Sequence, residues 1–593
     1  MLKQLSALRR RMAEEGVDAY LVPTDDFHGS EYVGDHFKCR SYLSGFTGSA
    51  GTLLVLQDWA GLWTDGRYFL QAERQLEHSG ITLCKIGEKD VPTEEAFLQT
   101  HLHPGHCLAF DGRTVTARRF HALEKRLLPA GIQLRTDLDL AGDVWPDRPP
   151  LSAAPVWALD TAYCGVSRTE KLTHLRKTMA EKEADTLLLS SLDDIAWLLN
   201  IRGGDVDCCP VVLSYLAIDA GSARLFVNEA VFSAALRRAL EGDGVTLAPY
   251  DAVYDYAAAL GQDRSVWLDE DKTNCALWNA AASGGRRIIA APNPTALPKA
   301  IKNKVEVANE RIAHLRDGVA MTQFLFWLKE NAGKIKITER SAAEHLEHLR
   351  AQQEHYLGPS FEPIIAYDAH GAIVHYSATE ESDLPLENHG FLLCDTGGHY
   401  LEGTTDVTRT VALGPVSAEM KRHYTLVLRS HLALLYAQFL HGCRGSALDM
   451  LARQPLWEAG LDFNHGTGHG VGYLLNVHEG PNSIRYRSAG QDAVLEPGMI
   501  LSDEPGLYLT GRYGIRLENL LVCVERTENE YGRFLGFDAL TLVPFDRDAI
   551  DPALLSQREQ DWLNAYHAAV YEAVSPHLNK AERLWLAEMT AKM

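Results

Sequence analysis

Five short segments in the C-terminal half of the chain each place an acid or a histidine beside an apolar strand or in a glycine-rich turn. The side chains are Asp395, Asp406, His469, Glu504 and Glu518, within Phe-Leu-Leu-Cys-Asp-Thr-Gly-Gly, Gly-Thr-Thr-Asp-Val-Thr-Arg-Thr, His-Gly-Thr-Gly-His-Gly, Ile-Leu-Ser-Asp-Glu-Pro-Gly and Gly-Ile-Arg-Leu-Glu-Asn. Carboxylates beside such apolar runs are costly to bury unless they are protonated, paired or bound to a cation. Two divalent cations would balance the four negative charges. Oxygen ligands with one imidazole and no thiolate favour manganese-like metals over a cysteine-rich zinc site.

Each segment taken alone also has a structural interpretation. Asp395 could form a turn before Thr-Gly-Gly, and Asp406 could cap a turn or pair with Arg409. Glu504 could begin a turn at Pro-Gly, and Glu518 could face water on an edge strand. The glycine-rich histidine segment could be an exposed loop. The metal site is favoured because all five segments occur together.

Length and charge limit what kind of protein surrounds these segments. At 593 residues the chain is too long for one hydrophobic core, so roughly two to four domains are expected. The formal net charge of −22 makes nucleic acid an unfavourable partner, because an acidic surface repels phosphate backbones.

The N-terminal segment and the cysteines point to the cytoplasm. Leu2, Leu5, Leu8 and Met12 recur at helical spacing, which predicts an amphipathic helix instead of a signal peptide. No apolar run reaches the roughly 18 residues that a membrane-spanning helix needs. None of the ten cysteines forms a CxxC pair, so most are expected to be reduced thiols in the core.

The first half of the chain contains an internal repeat. The segment from Leu8, Leu-Arg-Arg-Arg-Met-Ala-Glu-Glu-Gly-Val-Asp, resembles the segment from Leu175, Leu-Arg-Lys-Thr-Met-Ala-Glu-Lys-Glu-Ala-Asp. Proline-rich stretches at 144–155 and 291–298 are plausible interdomain connections, because proline removes a hydrogen-bond donor and ends helices. The predicted domains are 1–153 and 154–302, two copies of one α/β unit, followed by a catalytic domain over 303–593.

The predicted third domain opens with a long helix through 310–328, in which His314 is expected to be a surface or packing residue. Short strands with glycine-rich turns follow from about 361, and helices are predicted at 417–440 and 446–459. The last forty or so residues, from Asp551, are predicted to be largely helical.

The five segments, in their order and with their flanking residues, resemble the pita-bread metallopeptidases, which include methionine aminopeptidase, prolidase and aminopeptidase P. Asp395 and Asp406 are eleven residues apart, as that pattern requires. Within this group the chain is most similar to the long, three-domain aminopeptidase P family. Asp-Gly-Arg-Tyr at 65–68, Ile-Val-His-Tyr at 373–376 and the duplicated N-terminal half extend the resemblance along nearly the whole chain. The resemblance implies α/β and α+β architecture: two creatinase-like N-terminal domains and a C-terminal pita-bread domain.

The resemblance also implies a role for each site residue. Asp395 would chelate one metal, Asp406 and Glu518 would bridge both, and His469 and Glu504 would complete the second. The metals would be Mn²⁺, with Co²⁺ or Zn²⁺ as alternatives, and would activate a water for attack on the carbonyl. The remaining candidates, which match positions near the metals or in the first domain, are His375, His465, His478, Tyr508, Arg516 and Arg67.

By this resemblance the reaction is release of the N-terminal residue from peptides with proline in second position, in a cytoplasmic homodimer. Two alternatives remain open. Prolidase would cleave Xaa-Pro dipeptides, although its relatives usually lack the second N-terminal copy. A catalytically inactive pita-bread protein would bind peptides or proteins without cleaving them. His478 could equally be a capping or core residue, and Arg516 and Arg67 could each form a structural ion pair.

Overall fold

The computed structural model describes residues 3–487 and 492–593. The chain divides into two compact units, Met1–Asp160 with Val166–Thr295 and Thr161–Gly165 with Ala296–Met593. Leu2, which the sequence places on the first helix, lies outside the described residues. The other three residues of that apolar face, Leu5, Leu8 and Met12, are buried on a helix over Lys3–Glu15, which confirms the amphipathic pattern.

The first unit opens with an α/β segment built around a six-stranded sheet. Its helices are α1 (Lys3–Glu15), α2 (Cys39–Ser44), α3 (Phe69–Gln75), α4 (Glu94–His101), α5 (Ala117–Leu127) and α6 (Leu140–Asp143). Its strands are β1 (Ala19–Pro23), β2 (Thr52–Leu56), β3 (Ala60–Thr64), β4 (Thr82–Lys85), β5 (Cys107–Ala109) and β6 (Gln133–Arg135). The strand order is β4-β3-β2-β1-β5-β6.

A second α/β segment follows with the same topology. Its helices are α7 (Thr161–Cys164, part of the second unit), α8 (Arg168–Glu181), α9 (Leu192–Leu199), α10 (Ala234–Gly242), α11 (Ala252–Ala259) and α12 (Cys275–Ala282). Its strands are β7 (Trp157–Ala158), β8 (Thr186–Leu189), β9 (Ile201–Arg202), β10 (Ser214–Asp219), β11 (Ala223–Val227), β12 (Val245–Pro249), β13 (Ser265–Leu268) and β14 (Arg287–Ala290). The sheet order β12-β11-β10-β8-β13-β14 repeats the first sheet strand for strand, with the same parallel and antiparallel pairings. The predicted duplication is therefore confirmed.

The second unit carries the predicted site. Its helices are α13 (Ala296–Ala300), α14 (Lys304–Asn331), α15 (Glu339–Arg350), α16 (Ala418–Leu435), α17 (Gly445–Glu458), α18 (Gln557–Val574) and α19 (Lys580–Met589). Its strands are β15 (Tyr356–Pro359), β16 (Ile364–Tyr367), β17 (Phe391–Thr396), β18 (Gly398–Tyr400), β19 (Gly403–Thr404), β20 (Val407–Ala412), β21 (Gln438–Leu440), β22 (Gly468–Gly470), β23 (Glu479–Ile484), β24 (Ile500–Asp503), β25 (Gly506–Leu509), β26 (Tyr513–Arg516), β27 (Asn519–Asn529) and β28 (Gly532–Ala539).

Two sheets of this unit hold the ligands that the sequence predicts. One has the order β16-β17-β20, and the other has the order β21-β28-β27-β24-β22-β23. Apolar residues of α16, α17 and α18, among them Leu428, Leu456 and Leu563, are buried in one cluster with Leu501 and Leu521 of the larger sheet. The helices therefore form a rigid backing for the strands at the site.

The helix predicted over 417–440 is wrong at its C-terminal end. Helix α16 ends at Leu435, and Gln438–Leu440 forms β21 instead, paired antiparallel with β28. The apolar residues Phe439 and Leu440 continue the helical period, so the sequence pattern alone does not mark this change. His314, on α14, is buried, as expected of a packing residue. Among the described residues, no helix combines the length and the apolar character needed to cross a membrane.

Candidate metal centre

Four of the five predicted ligands lie at strand ends of the two sheets, and His469 lies within a three-residue strand. Asp395 is near the end of β17, Asp406 directly precedes β20, His469 is in the middle of β22, Glu504 directly follows β24, and Glu518 directly precedes β27. Strand ends are suited to such groups because the adjoining strands hold the backbone while the side chain extends beyond the ladder.

Strand register brings these ends together. In the smaller sheet, Asp395 is opposite Thr408, two residues after Asp406. In the larger sheet, Asp503 is opposite Asn519, so the next residues outward, Glu504 and Glu518, face each other across the same strand pair. The Glu518 amide donates to the Thr408 carbonyl at 3.0 Å, which joins the two sheets at the site.

The side chains converge as the strand ends do. Asp406, His469 and Glu518 each present one donor atom, and the three atoms lie within 4.8 Å of one another. His469 Nε2 is 3.6 Å from Asp406 Oδ2 and 3.6 Å from Glu504 Oε1. The negative charge of Asp395 acts on Asp406, Glu504 and Glu518 alike, as expected of four neighbouring carboxylates.

Neighbouring groups orient three of the ligands. The His469 Nδ1 donates to the Gly470 carbonyl at 3.0 Å, which leaves Nε2 unprotonated and directed at the carboxylates. The Ser502 hydroxyl accepts from the His469 amide at 2.9 Å and donates to Glu504 Oε1 at 3.3 Å. The Thr408 hydroxyl donates to Glu518 Oε2 at 2.7 Å.

Ser502 and Thr408 were missed at the sequence level. Each is two residues from a ligand in the same strand segment, and side chains two apart in a strand share a face. That period-two spacing is the signal that could have identified them.

The carboxylates disturb one another's protonation. Burial, followed by repulsion from Asp395 and Glu504, raises the pKa of Asp406 well above its usual range. Burial and the charges of Asp406, Glu504 and Asp395 do the same to the pKa of Glu518. Burial raises the pKa of Glu504 to about 7, although Arg516 opposes the rise. The site as built from protein atoms alone therefore has an excess of negative charge.

Three of the predicted ligands each have one buried carboxylate oxygen that accepts no hydrogen bond from the described residues: Asp395 Oδ1, Asp406 Oδ1 and Glu518 Oε1. A buried acceptor without a partner is costly, and a bound cation relieves that cost. With His469 Nε2 and the Glu504 carboxylate they form a donor set of oxygens and one imidazole nitrogen. The residues fit a pair of hard divalent cations.

Two of the structural interpretations are excluded: the pairing of Asp406 with Arg409 and the exposure of Glu518 to water. The Arg409 guanidinium is surrounded by carbonyls, including those of Glu518 and Val543, and by the Asn519 and Tyr566 side chains, so its hydrogen bonds do not require Asp406. Glu518 is 2% exposed and does not face water.

A hydrogen-bonded chain runs from Asp395 away from the ligands. The Arg516 guanidinium donates to Asp395 Oδ2 and, at 2.7 Å, to the Tyr508 hydroxyl. The Tyr508 hydroxyl lies 2.8 Å from His465 Nε2, and His465 Nδ1 lies 2.7 Å from the Gly466 carbonyl. Since Nδ1 faces a carbonyl, it carries the proton, and Nε2 accepts from Tyr508. Arg516 thus forms an ion pair with Asp395, which is one of the two roles considered for it in the sequence analysis.

Of the other two candidate histidines, His478 borders the centre. The His478 ring is perpendicular to the His469 ring, with centroids 4.4 Å apart. His375 is half-buried and directly follows Val374, whose carbonyl accepts from Arg516 at 3.4 Å. His478 therefore contacts a predicted ligand directly, whereas His465 is linked to Asp395 through Tyr508 and Arg516.

Arg67 lies in the first unit, in the turn after β3. Its guanidinium forms a forked ion pair with Asp65, with both hydrogen bonds at 2.8 Å. The side chain is 33% exposed. The ion pair predicted as the alternative role of Arg67 is therefore present, and substrate binding by Arg67 stays a prediction.

Relatives of known name match nearly the whole chain. A protein named Probable Xaa-Pro aminopeptidase P from Sordaria macrospora is 40% identical over 578 residues, covering 95% of this chain and 94% of that protein. Aminopeptidase P2 of Arabidopsis thaliana is 38% identical, covering 98% of this chain and 87% of that protein. This chain belongs to the aminopeptidase P group of metallopeptidase family M24.

Domain families match this M24 metallopeptidase from end to end. Metallopeptidase family M24 matches residues 308–525, and the C-terminal region of peptidase M24 matches 533–593. The Creatinase/Prolidase N-terminal domain matches twice, at 4–136 and at 147–306. The predicted fold class, two creatinase-like domains followed by a pita-bread domain, is confirmed.

Solved structures agree with this fold. X-prolyl aminopeptidase from Caenorhabditis elegans, described as a cytosolic enzyme with a di-nuclear active site, has a TM-score of 0.94 and 36% identity, covering 100% of this chain and 99% of that one. Xaa-Pro dipeptidase from Bacillus anthracis has a TM-score of 0.52 and 23% identity, and covers 64% of this chain. The second likeness shows the fold alone.

Proposed function

We propose that this M24 metallopeptidase releases the N-terminal residue from peptides with proline in second position. The observation that carries the proposal is the convergence of Asp406, His469 and Glu518 at a site where Asp395, Asp406 and Glu518 each have one buried oxygen without a hydrogen-bond donor among the described residues. Relatives that match over nearly the full length and are named Xaa-Pro aminopeptidases supply the substrate class.

We propose two divalent cations, Mn²⁺ first, as the cofactor. Asp395 would hold one cation through Oδ1, since its Oδ2 is engaged by Arg516. Asp406 and Glu518 would bridge the two, and His469 and Glu504 would complete the second. When bound, such a pair lowers the pKa of a water and polarises the scissile carbonyl.

The chain's own residues would then position the substrate and handle charge. His478 lies against the His469 ring, and His375 follows a residue that Arg516 binds, so their imidazoles are the groups proposed to donate hydrogen bonds to the carbonyl oxygen as it becomes negative. Tyr508 donates to His465 while it accepts from Arg516, which fixes the His465 ring. Burial raises the pKa of Tyr508 to about 12, so its phenol keeps its proton near neutral pH.

Cleavage before proline suits this mode of activation. A peptide bond to proline has no N–H, so a peptidase that orients the scissile bond through that donor cannot hold it. Strong activation of the carbonyl, together with recognition of the ring by shape, replaces that contact. The residues around the carboxylates provide the activation of the carbonyl.

Further parts of the proposal concern the whole protein. We place its domains at 1–153, 154–302 and 303–593, and we propose a cytoplasmic homodimer in which Arg67 binds substrate. None of the ten cysteines, each within the described ranges, forms a disulfide, as is usual in a reducing compartment. Size-exclusion chromatography with light scattering tests the dimer, and Arg67→Lys tests the arginine through its KM.

The decisive experiment combines metal analysis with peptide hydrolysis. Purified protein loaded with Mn²⁺ is expected to bind two ions per chain and to release the first residue of an Xaa-Pro-Xaa tripeptide. It should leave the matched Xaa-Ala-Xaa tripeptide intact. Cleavage confined to Xaa-Pro dipeptides would instead identify a dipeptidase. A folded protein that binds no metal and cleaves neither peptide would refute the proposal in favour of a binding protein.

A further inference from the structure

The segment between α17 and β22 carries His465 on a backbone without regular structure. Residues 459–467 are all described, and none belongs to a helix or strand. Such a segment lacks the ladder of backbone hydrogen bonds that fixes a strand. The position of the His465 imidazole therefore depends on whatever else holds this segment.

One buried arginine on α17 supplies those contacts. The Arg453 side chain is 2% exposed. Its Nη1 donates to the Phe463 carbonyl and to Asp462 Oδ1, both at 2.7 Å, and its Nη2 donates to the His465 carbonyl at 2.7 Å. The guanidinium also lies over the Phe463 ring, 3.9 Å from its centroid. One side chain thus fixes three residues of the segment, including His465 itself.

The arginine is itself fixed by a buried acid one helical turn earlier. Arg453 Nε donates to Asp449 Oδ2 at 2.6 Å, and the Asp449 side chain is fully buried. The other oxygen, Asp449 Oδ1, accepts from the Thr467 hydroxyl. Asp449 and Arg453 together hold the segment on both sides of His465.

We call Asp449 and Arg453, which hold this segment, the clamp. The segment that it holds is connected to the metal centre on both sides. On one side, the His465 ring meets the Tyr508 hydroxyl, which is bound in turn by Arg516. On the other side, the Thr467 carbonyl accepts from the amide of Glu504 at 2.8 Å. A shift of the segment would move an active-site imidazole and the backbone of a metal ligand together.

We propose that Arg453, held by Asp449, is a positioning residue that sets the His465 imidazole for the peptidase reaction. The inference rests on the proposed function for its kinetic consequence. It requires arginine specifically, because only a planar guanidinium donates in several fixed in-plane directions at once. A lysine at this position keeps the charge beside Asp449 but cannot reach Asp462, Phe463 and His465 together.

The test compares Arg453→Lys with the parent in the full-length, metal-loaded protein. We expect kcat for an Xaa-Pro-Xaa peptide to fall by about 10–100-fold, the range for residues that orient an active-site group. KM should change by less than about threefold and both metals should be retained, since neither substrate nor metal contacts are removed. A folded, metal-loaded Arg453→Lys protein with parental kcat would overturn the inference.

A double-mutant cycle separates positioning from general loss of structure. In a His465→Gln background, Arg453→Lys should lower the residual kcat by less than about twofold, because the group that it positions is already gone. An equal loss in both backgrounds would mean that Arg453 acts elsewhere. Asp462→Asn serves as a milder second variant, because Asp462 is 42% exposed and its loss leaves the Asp449–Arg453 pair in place.

A matched control comes from the other unit. Arg286 is a buried arginine whose guanidinium likewise donates to backbone carbonyls, those of Leu260, Ala280 and Ala281 among them. Arg286→Lys should lower the melting temperature without lowering kcat. A comparable fall of kcat in this control would show that any destabilisation slows the enzyme.

Hydrogen exchange tests the clamp without any activity. Amides of residues 459–467 should exchange faster in Arg453→Lys than in the parent, while those of α14 stay unchanged. Equal exchange would overturn the inference even if the peptides are cleaved. Faster exchange in a protein that cleaves no Xaa-Pro peptide would leave the clamp standing and refute the proposed function instead.

Discussion

Asp406 is the residue on which the metal centre depends most directly. It lies between His469 and Glu518, and one of its oxygens accepts no hydrogen bond from the described residues. Asp406→Asn keeps the volume but removes the charge that would bridge two cations. We expect kcat/KM for an Xaa-Pro-Xaa peptide to fall by more than about 10³-fold, the scale on which losing a catalytic metal's charge acts.

Folding of the Asp406→Asn variant should survive, because the substitution relieves repulsion among the carboxylates. Circular dichroism checks the fold, and metal analysis checks occupancy. Near-parental turnover with two metals bound would contradict the assigned role. The isosteric variant Asp35→Asn, at a 66% exposed acid of the first unit, is the control for the chemistry of the substitution itself.

Glu504 should make the metal-free protein sensitive to pH. Its pKa is raised to about 7, above the value near 4.3 of an unfolded glutamate, chiefly by burial and next by the charge of Asp395. The folded state therefore binds more protons than the unfolded state between these values, and stability falls as the pH rises. Glu504→Gln removes this loss of stability. In chelator-treated protein, the free energy of unfolding of the variant relative to that of the parent should therefore rise by up to about 3 kcal/mol from pH 5 to pH 8.

Urea denaturation of both proteins at the two pH values measures this gain. The comparison reports Glu504 together with its effect on Asp406 and Glu518, because the charge of Glu504 also raises the pKa of those two groups. A difference in free energy of unfolding that does not change with pH would show that Glu504 ionises normally in the folded state.

The residue pattern and the family resemblance together predicted the candidate ligands but not what holds them. The sequence singles out Asp395, Asp406, His469, Glu504 and Glu518 because carboxylates within apolar segments are rare unless something neutralises them, and because their order and flanking residues match the family pattern. Ser502, Thr408 and Arg453 carry no such mark. A serine, a threonine and a helical arginine are ordinary in sequence, and their roles arise from contacts that only the fold creates: Ser502 with His469, Thr408 with Glu518, and Arg453 with a segment 9–12 residues further along.

At the level of elements, the approach of β22 to β24 decides where His469 stands relative to Glu504. A Cβ at Gly468 would lie 2.0 Å from the Ser502 carbonyl oxygen on β24, so the strands could not keep their spacing with any larger residue. We expect Gly468→Ala to weaken metal binding by about 10–100-fold, as changes beside metal ligands do. Isothermal titration with Mn²⁺ measures this affinity.

Gly480→Ala is the matched control for that strand substitution. Gly480 lies on β23, which pairs with β22, and a Cβ there meets nothing within 4 Å. Its metal affinity should equal that of the parent. Equal Mn²⁺ affinities of the parent, Gly468→Ala and Gly480→Ala proteins would show that β22 has room to move without disturbing the centre.

The elements were predictable where the pattern is local. The repeat of the first half shows in the sequence as two similar segments and in the structure as two sheets of identical order. Strand β21 was not predictable, because Gln438–Leu440 becomes a strand only through its pairing with β28, about a hundred residues further along the chain. Registers such as Asp503 opposite Asn519, which bring Glu504 to Glu518, are likewise set by tertiary packing.

For the molecule as a whole, the centre links catalysis to stability. Two creatinase-like domains precede a catalytic unit in which buried acids repel one another, and the cations that enable the reaction would also remove that repulsion. A ligand that binds only the folded state stabilises it by about 2.7 kcal/mol per site at 100 times its Kd. Two such sites would contribute about 5 kcal/mol.

Removing the metals should therefore abolish activity and lower the melting temperature together. Chelation of the full-length protein is expected to do both, and excess Mn²⁺ should restore both: turnover should saturate as the two sites fill, and the melting temperature should continue to rise with the metal concentration. Differential scanning fluorimetry and peptide hydrolysis on the same samples measure them. The Asp406→Asn variant should show no such recovery, since it lacks the bridging carboxylate. A chelated protein that keeps its melting temperature and its turnover would mean that Asp395, Asp406, His469, Glu504 and Glu518 meet for some reason other than metal binding.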